Sequence, residues 1–298
     1  MPKTRIRERL DKGEILVSDG AWGTFLQKKG LGPGECPELW CIDRAAEVLD
    51  VARSYVEAGA DMIETDSFGG TRIKLGHYGL GDRAAEINEA AARISREAAG
   101  DGVIVIASIG PTGKMVMTGE VTEEELYEAF KEQALALERG GADAACIETM
   151  SAEDEAVQAI KAVKENTGLE AICTFTFDRT PAGEYRSMMG LSPADAARAA
   201  AGAGADVIGP NCGNGMAGMV DVAREMRAAV PGLPILVQAN AGLPERSGGG
   251  LVYRETPEMM AALVPDLVKA GANAIGGCCG TTPDHIRAIK RAVASLRR

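Results

Sequence analysis

Gly202-Ala-Gly-Ala-Asp-Val-Ile208 ends a helix-like stretch on small residues and opens a short apolar run. The phrase recurs at Ala58-Gly-Ala-Asp-Met-Ile-Glu64, Gly140-Gly-Ala-Asp-Ala-Ala-Cys146 and Ala270-Gly-Ala-Asn-Ala-Ile275. Its glycine suits a left-handed helix C-cap, and its apolar run suits a parallel strand buried on both faces. Other short apolar runs complete a set of eight predicted strands: 15–18, 61–65, 103–107, 144–148, 170–177, 206–209, 235–239 and 273–276. Helical patterns alternate with them at 43–58, 84–99, 122–139, 153–166, 193–201, 219–229, 257–270 and 283–296. This alternation predicts an α/β fold, a single (β/α)8 TIM barrel occupying residues 1–298 as one domain. An open doubly wound sheet is the alternative, weakened because no Gly-x-Gly-x-x-Gly turn follows the first strand.

The 298 residues are 46% hydrophobic and carry a net charge of -11, enough for a full core. The acidity and the lack of a basic run exclude a nucleic-acid partner. The charged opening Met1-Pro-Lys-Thr-Arg-Ile-Arg-Glu-Arg-Leu10 does not read as a signal peptide, and no apolar stretch is long enough for a membrane span. A cytoplasmic protein is expected, with no membrane partner. An odd count of seven cysteines points away from a disulfide framework.

Asp19, Asp66, Ser108, Glu148, Asn211, Cys212, Asn240, Cys278 and Cys279 all fall at or just past the C-terminal ends of predicted strands. In a barrel that end carries the chemistry. Cys278 and Cys279 lie in Ile275-Gly-Gly-Cys-Cys-Gly-Thr-Thr-Pro283, and Cys212 lies in Gly209-Pro-Asn-Cys-Gly213. Three thiolates converging on one point would make a zinc site with an open fourth position, able to activate a substrate thiol. The alternative is cysteine as a small buried hydrophobe, which suits Cys146 and Cys173 better. Adjacent strand residues face opposite ways, so the pair needs an irregular strand end, and the flanking glycines permit one.

Asp19-Gly-Ala-Trp-Gly-Thr24 reads either as a tight turn or as a nest of backbone N–H groups, from Gly20 through Ala21 to Thr24, that accepts a carboxylate. Asp19 beside it could take an ammonium. Glu148 needs a partner at its strand end, and a cationic substrate group is one. An anion-binding turn, a carboxylate and a thiol-binding metal together describe an amino-acid thiol. His285, where the last helix begins, reads as structural, and with His77 the only other histidine a Ser-His-Asp hydrolase is not supported.

Gly276-Gly-Cys-Cys-Gly-Thr-Thr-Pro-Asp-His-Ile286 resembles the signature of the homocysteine S-methyltransferase family, which includes the homocysteine-binding domain of cobalamin-dependent methionine synthase. Asp19-Gly-Ala-Trp-Gly-Thr24, Ile63-Glu-Thr-Asp-Ser-Phe-Gly69, Ile147-Glu-Thr-Met150, Asn211-Cys212 and Asn240-Ala-Gly242 match in order, so the resemblance runs nearly end to end. It implies a (β/α)8 barrel with Zn2+ on Cys212, Cys278 and Cys279. In relatives of the methionine-synthase type, the asparagine at the position of Asn240 fills the fourth site until substrate displaces it. Three segments depart from the family pattern: Thr65-Asp-Ser-Phe68, where Thr-Asn-Thr-Phe is usual, residues 176–190, and Gly213-Asn-Gly215.

The expected activity is zinc-dependent methyl transfer to homocysteine. The donor is a methylcorrinoid, a sulfonium or betaine. With the barrel filling these residues, a methylcorrinoid would arrive on a partner protein. Two alternatives stand beside this reading. One is a corrinoid-dependent methyltransferase component with another donor or acceptor, and the other is a non-catalytic zinc-stabilised barrel.

Overall fold

The computed structural model describes residues 6–247 and 250–296. Its strands in chain order are β1 (Leu16–Val17), β2 (Met62–Ile63), β3 (Ile104–Ile109), β4 (Ala144–Met150), β5 (Glu170–Phe175), β6 (Asp178–Arg179), β7 (Tyr185–Arg186), β8 (Val207–Pro210), β9 (Leu236–Ala239), β10 (Glu245–Ser247), β11 (Gly250–Val252) and β12 (Ala274–Gly277). Five run parallel in the order β2-β3-β4-β5-β8, and three in the order β1-β12-β9. Single parallel bridges join the two sheets on both sides: Ser18 to Met62 on one, Ile208 to Ile235 and Asn211 to Gln238 on the other. The remaining strands make two antiparallel hairpins, β6–β7 and β10–β11. The fold is α/β with a curled parallel sheet.

Strand residues alternate between two cores, as the period of two requires. Ile104 and Ile106 join a cluster to which all eight parallel strands contribute, including Leu16, Met62, Cys146 and Leu236. Val105 and Ala107 join the larger cluster packed under the helices. Helices 84–99, 153–166 and 283–296 form where the periodicity places them. The predicted helix 257–270 is instead two, Pro257–Ala262 and Val264–Ala270. Pro265, in the first turn of the second, lacks the N–H that would continue the first. The predicted strand 170–177 stops at Phe175. Both hairpins, and a first helix Ile6–Asp11 whose Ile6 and Leu10 enter the strand-lined cluster, had no strong sequence signal.

The Gly-Ala-Asp repeat has a physical purpose beyond the cap. Asp61, Asp143, Asp206 and Asn273 each donate a backbone N–H to a neighbouring strand residue and accept that residue's N–H on the side chain. The partners are Val17, Val105, Ala171 and Ile235, with side-chain bonds of 2.9, 2.9, 2.8 and 3.0 Å. A cation then holds each side chain: Lys290 on Asp61, Arg96 on Asp143, Lys164 on Asp206 and Arg227 on Asn273. The repeat therefore sets register at the N-terminal ends of the strands, which leaves the other end free for chemistry.

Candidate active site

At the C-terminal ends of the parallel strands lies a cavity of about 260 Å³, lined by backbone and side chains from Gly20 to Thr24 and by Glu38, Glu64, Asp66, Ser108, Glu148, Gln238, Cys212, Cys278 and Cys279. Among the described residues, no lysine, arginine or histidine lines it.

The three cysteines sit together on its wall. Their sulfur atoms all lie within 4.8 Å of one another, and Cys212 Sγ is 3.9 Å from Cys279 Sγ. Thiolates at tetrahedral positions around one zinc stand about 3.8 Å apart. The irregular strand end that the adjacent pair needs is present. Gly277 N–H donates to Asp19 O, Cys278 N–H donates to Ala239 O, and Gly280 turns the chain at φ +82°. A side chain at Gly277 would collide with Thr281, and one at Gly280 with the Tyr253 ring. Cys212 follows β8 with φ 56°, in the left-handed region that a non-glycine residue rarely occupies. The Cys278 and Cys279 thiols donate to Cys212 and push its thiol down to about 3. The Cys212 sulfur in turn raises Cys278, and pushes Cys279 up to about 11. Three sulfurs this close hold one negative charge on their own and need a cation to hold three.

The donor set fits a thiophilic divalent ion. Beside it, the buried Asn240 Oδ1 has no hydrogen-bond partner, while the Asn240 side chain bonds Cys212. An orphaned oxygen next to three sulfurs is the kind of fourth donor such an ion uses.

The carboxylates face the opposite situation. Glu148, at the end of β4, accepts from the Ser108 hydroxyl and, at 3.2 Å, from Asn211 Nδ2. Burial pushes it up to about 7, with the Ser108 bond pulling the other way. Burial also raises Glu64 well above the usual carboxylate range, and the charges of Glu148 and Asp19 add to that. Glu64 accepts from Gln238 Nε2 at 2.7 Å. Asp66 is raised by burial and then by Glu38, and its carboxylate accepts from the Cys41 thiol at 3.8 Å.

The predicted site residues divide in two. Gly20, Ala21, Thr24, Glu148 and the three cysteines line the cavity together. Asp19 and Asn240 stand behind its wall. Asp19 is fully buried and accepts from Trp22 Nε1 at 2.9 Å, Glu64 N at 2.8 Å and Ser18 Oγ at 3.2 Å, so it braces β1 against β2. Ala21 N–H donates to Thr281 Oγ1 at 3.1 Å, which removes one donor from the predicted nest. His285 is structural: its ring bonds Thr282 and the Glu255 carbonyl. Sequence reading missed Glu38, Glu64 and Gln238. Glu64 had a signal, since it breaks the repeat where the other copies carry Cys146, Gly209 and Gly276.

The sequence model of the homocysteine S-methyltransferase family matches residues 16–293. The chain belongs to that family. It is 32% identical over 302 residues to a methionine synthase of Mycobacterium tuberculosis, covering 95% of this chain and 25% of that one. A methionine synthase of Mycobacterium leprae is likewise 32% identical, covering 94% of this chain and 24% of its own. The chain thus spans about a quarter of the length of the curated relatives it matches. The metallated form of the homocysteine methyltransferase MmuM from Escherichia coli superposes with a TM-score of 0.78 at 24% identity, covering 96% of this chain and 99% of that one.

Proposed function

We propose that this chain is a zinc-dependent methyltransferase that methylates homocysteine to methionine. The observation that carries this reading is one cavity with three convergent thiols on its wall, buried carboxylates around it and no lining cation. We also read the two sheets and the bridges between them as one closed (β/α)8 barrel, a single domain over all 298 residues. The cluster shared by all eight parallel strands supports this.

Cys212, Cys278 and Cys279 would hold the zinc, with Asn240 Oδ1 as the group that yields to substrate. A zinc ion held there would supply Lewis acidity that favours the deprotonated form of a substrate thiol. The Escherichia coli neighbour of the same fold has a metallated form, in keeping with a metal-binding protein. Glu148 takes the substrate ammonium, with Ser108 and Asn211 fixing its two oxygens. The backbone from Gly20 to Thr24, which opens the helix Gly23–Lys28, faces the substrate carboxylate with N–H groups that have no intrahelical acceptor. Asp19 acts through Trp22 and Glu64 rather than by contact. The substrate sulfur is thereby aimed at the open mouth, where the methyl group arrives in line.

The donor reading is a methylcorrinoid carried by another protein or by a further segment of a longer chain. Its support is the mouth itself. Met117 is 74% exposed, Met188 77%, Leu243 62% and Leu251 61%, and all sit on connections that leave the C-terminal strand ends. Exposed apolar side chains on several connections at one end of the strands suit a macromolecular partner. The cytoplasm is the compartment that keeps the three thiols reduced.

The test is a methyl-transfer assay of zinc-loaded protein with homocysteine and a panel of donors. Free methylcobalamin should be demethylated slowly and a protein-bound methylcorrinoid much faster. Rapid turnover with S-methylmethionine, and none with either corrinoid, overturns the donor reading. Glu148→Gln should raise the KM for homocysteine more than about tenfold, because a hydrogen bond to a charged group contributes about 1.5–3 kcal/mol. An unchanged KM would show that the acceptor is not an amino acid.

A further inference from the structure

Among the described residues, Thr149 (φ 60°) and Cys212 (φ 56°) are the two non-glycine residues with positive φ. Thr149 lies near the end of β4 and Cys212 just past β8, and one buried side chain ties them together. Asn211, fully buried, immediately precedes Cys212. Its Nδ2 donates to Glu148 Oε2 at 3.2 Å and to Thr149 Oγ1 at 2.7 Å. Its Oδ1 accepts from Thr149 N at 2.8 Å and from Thr174 Oγ1 at 2.9 Å. Both amide hydrogens and both lone pairs are used, so the side chain cannot shift at one partner without disturbing the others. Its backbone N–H donates to Phe175 O at 3.0 Å, and the next N–H, of Cys212, donates to Gln238 O at 3.0 Å. Strained backbone of this kind persists only where the surroundings over-determine it.

We propose that Asn211 is a positioning residue that couples occupancy of the amino-acid site at Glu148 to the placement of the Cys212 thiol. The proposal rests on the assignment of Glu148 to the substrate ammonium and of Cys212 to the metal. A ligand that fixes the Glu148 carboxylate fixes the Asn211 amide, and with it the peptide that carries Cys212. A metal that fixes Cys212 does the reverse. The two orderings share one entropic cost, so each ligand strengthens the other. The amino-acid ligand is a zwitterion, so its ammonium repels a divalent cation while its carboxylate attracts it, and direct electrostatics contribute little net linkage. A positive linkage that depends on Asn211 would therefore run through the protein.

The experiment measures zinc affinity of the full chain against a chromophoric chelator, with and without saturating 2-aminobutyrate. This probe has the ammonium and carboxylate of the substrate and no thiol. In the wild type it should raise zinc affinity about fivefold or more, and zinc should raise 2-aminobutyrate affinity by the same factor. In Asn211→Ala the linkage should fall to about one, and zinc affinity alone should drop about 10- to 100-fold. Asn211→Asp is nearly isosteric and keeps both acceptor bonds. It should hold zinc close to the wild-type affinity yet lose the linkage, which a merely structural role would not predict. Linkage surviving in Asn211→Asp overturns the proposal, as does a wild type that binds both ligands independently. A wild type that binds zinc and not 2-aminobutyrate would instead refute the amino-acid assignment of Glu148, and the coupling with it.

Discussion

The two ends of the parallel strands use acidic residues in opposite ways. At the N-terminal end, Asp61, Asp143 and Asp206 each accept a neighbour's backbone N–H and carry a lysine or arginine. At the C-terminal end, Glu64, Asp66 and Glu148 are more deeply buried than those aspartates, and among the described residues no cation lines the cavity they face. The first arrangement is complete within the chain. The second has charge and hydrogen-bonding capacity left for something that arrives. A buried acid is costly unless it is paired, so pairing at one end and its lack at the other separate residues that hold the fold from residues that await a ligand.

The largest effect that would sharpen this contrast lies in the cysteine cluster. Cys278→Ala leaves two sulfurs where three lie within 4.8 Å. Bound zinc should fall from about one per chain to nearly none, and methyl transfer should fall with it, because two thiolates do not make a closed-enough site. Full zinc occupancy in this variant, by metal analysis, would falsify the assignment.

Next in size is a pH effect on the metal-free protein. Glu148 stands at about 7 in the folded chain, raised by burial, whereas an unfolded glutamate titrates near ~4.3. Between those values the folded state binds more protons than the unfolded one. This group's contribution to stability is therefore fully present below ~4.3 and is lost as pH rises to about 7. Glu148→Gln removes that dependence. Relative to wild type, the variant should gain on the order of 3 kcal/mol between pH 4 and pH 8 in urea unfolding. Parallel curves for the two proteins would mean that Glu148 is paired after all, and the contrast between the ends would fail.

Much of this was legible in the residues, and for identifiable reasons. The Gly-Ala-Asp phrase marks a helix end, a register bond and a buried strand at once, so it located four strands directly. Cys212, Cys278 and Cys279 were recognisable because glycines flank them where a core cysteine needs none. Asp19 was legible as important, but its bonds to Trp22 and Glu64 were not: a carboxylate at a strand end has the same appearance in sequence whether it faces a ligand or braces its neighbours. Glu38 lies outside every repeat, in a short turn of 3-10 helix, and reaches the cavity wall only through a tertiary bond to Gly69 N at 2.6 Å. No local pattern records such a contact. The hairpins Asp178–Arg179 with Tyr185–Arg186, and Glu245–Ser247 with Gly250–Val252, are two- and three-residue strands, too short for alternation to register.

The smallest expected effect tests the other end. At three of the four repeats the bond to the neighbouring strand comes from an aspartate, but at the fourth Asn273 makes it, accepting from Ile235 N and from Arg227. The geometry therefore asks for an oxygen and not for a charge. Asp143→Asn keeps an acceptor for Val105 N and gives up the charge of its partly exposed pair with Arg96, an effect of about 1 kcal/mol. Asp143→Ala leaves the Val105 N–H without its side-chain acceptor and should cost about 1–3 kcal/mol. Neither change should move the KM for homocysteine, because this residue lies at the opposite end of the strands from the cavity. Equal losses in the two variants, by urea unfolding at one pH, would show that the charge itself is needed. The N-terminal acids would then resemble the C-terminal ones more closely than their pairing suggests. A shift in KM with either variant would break the division between the ends altogether.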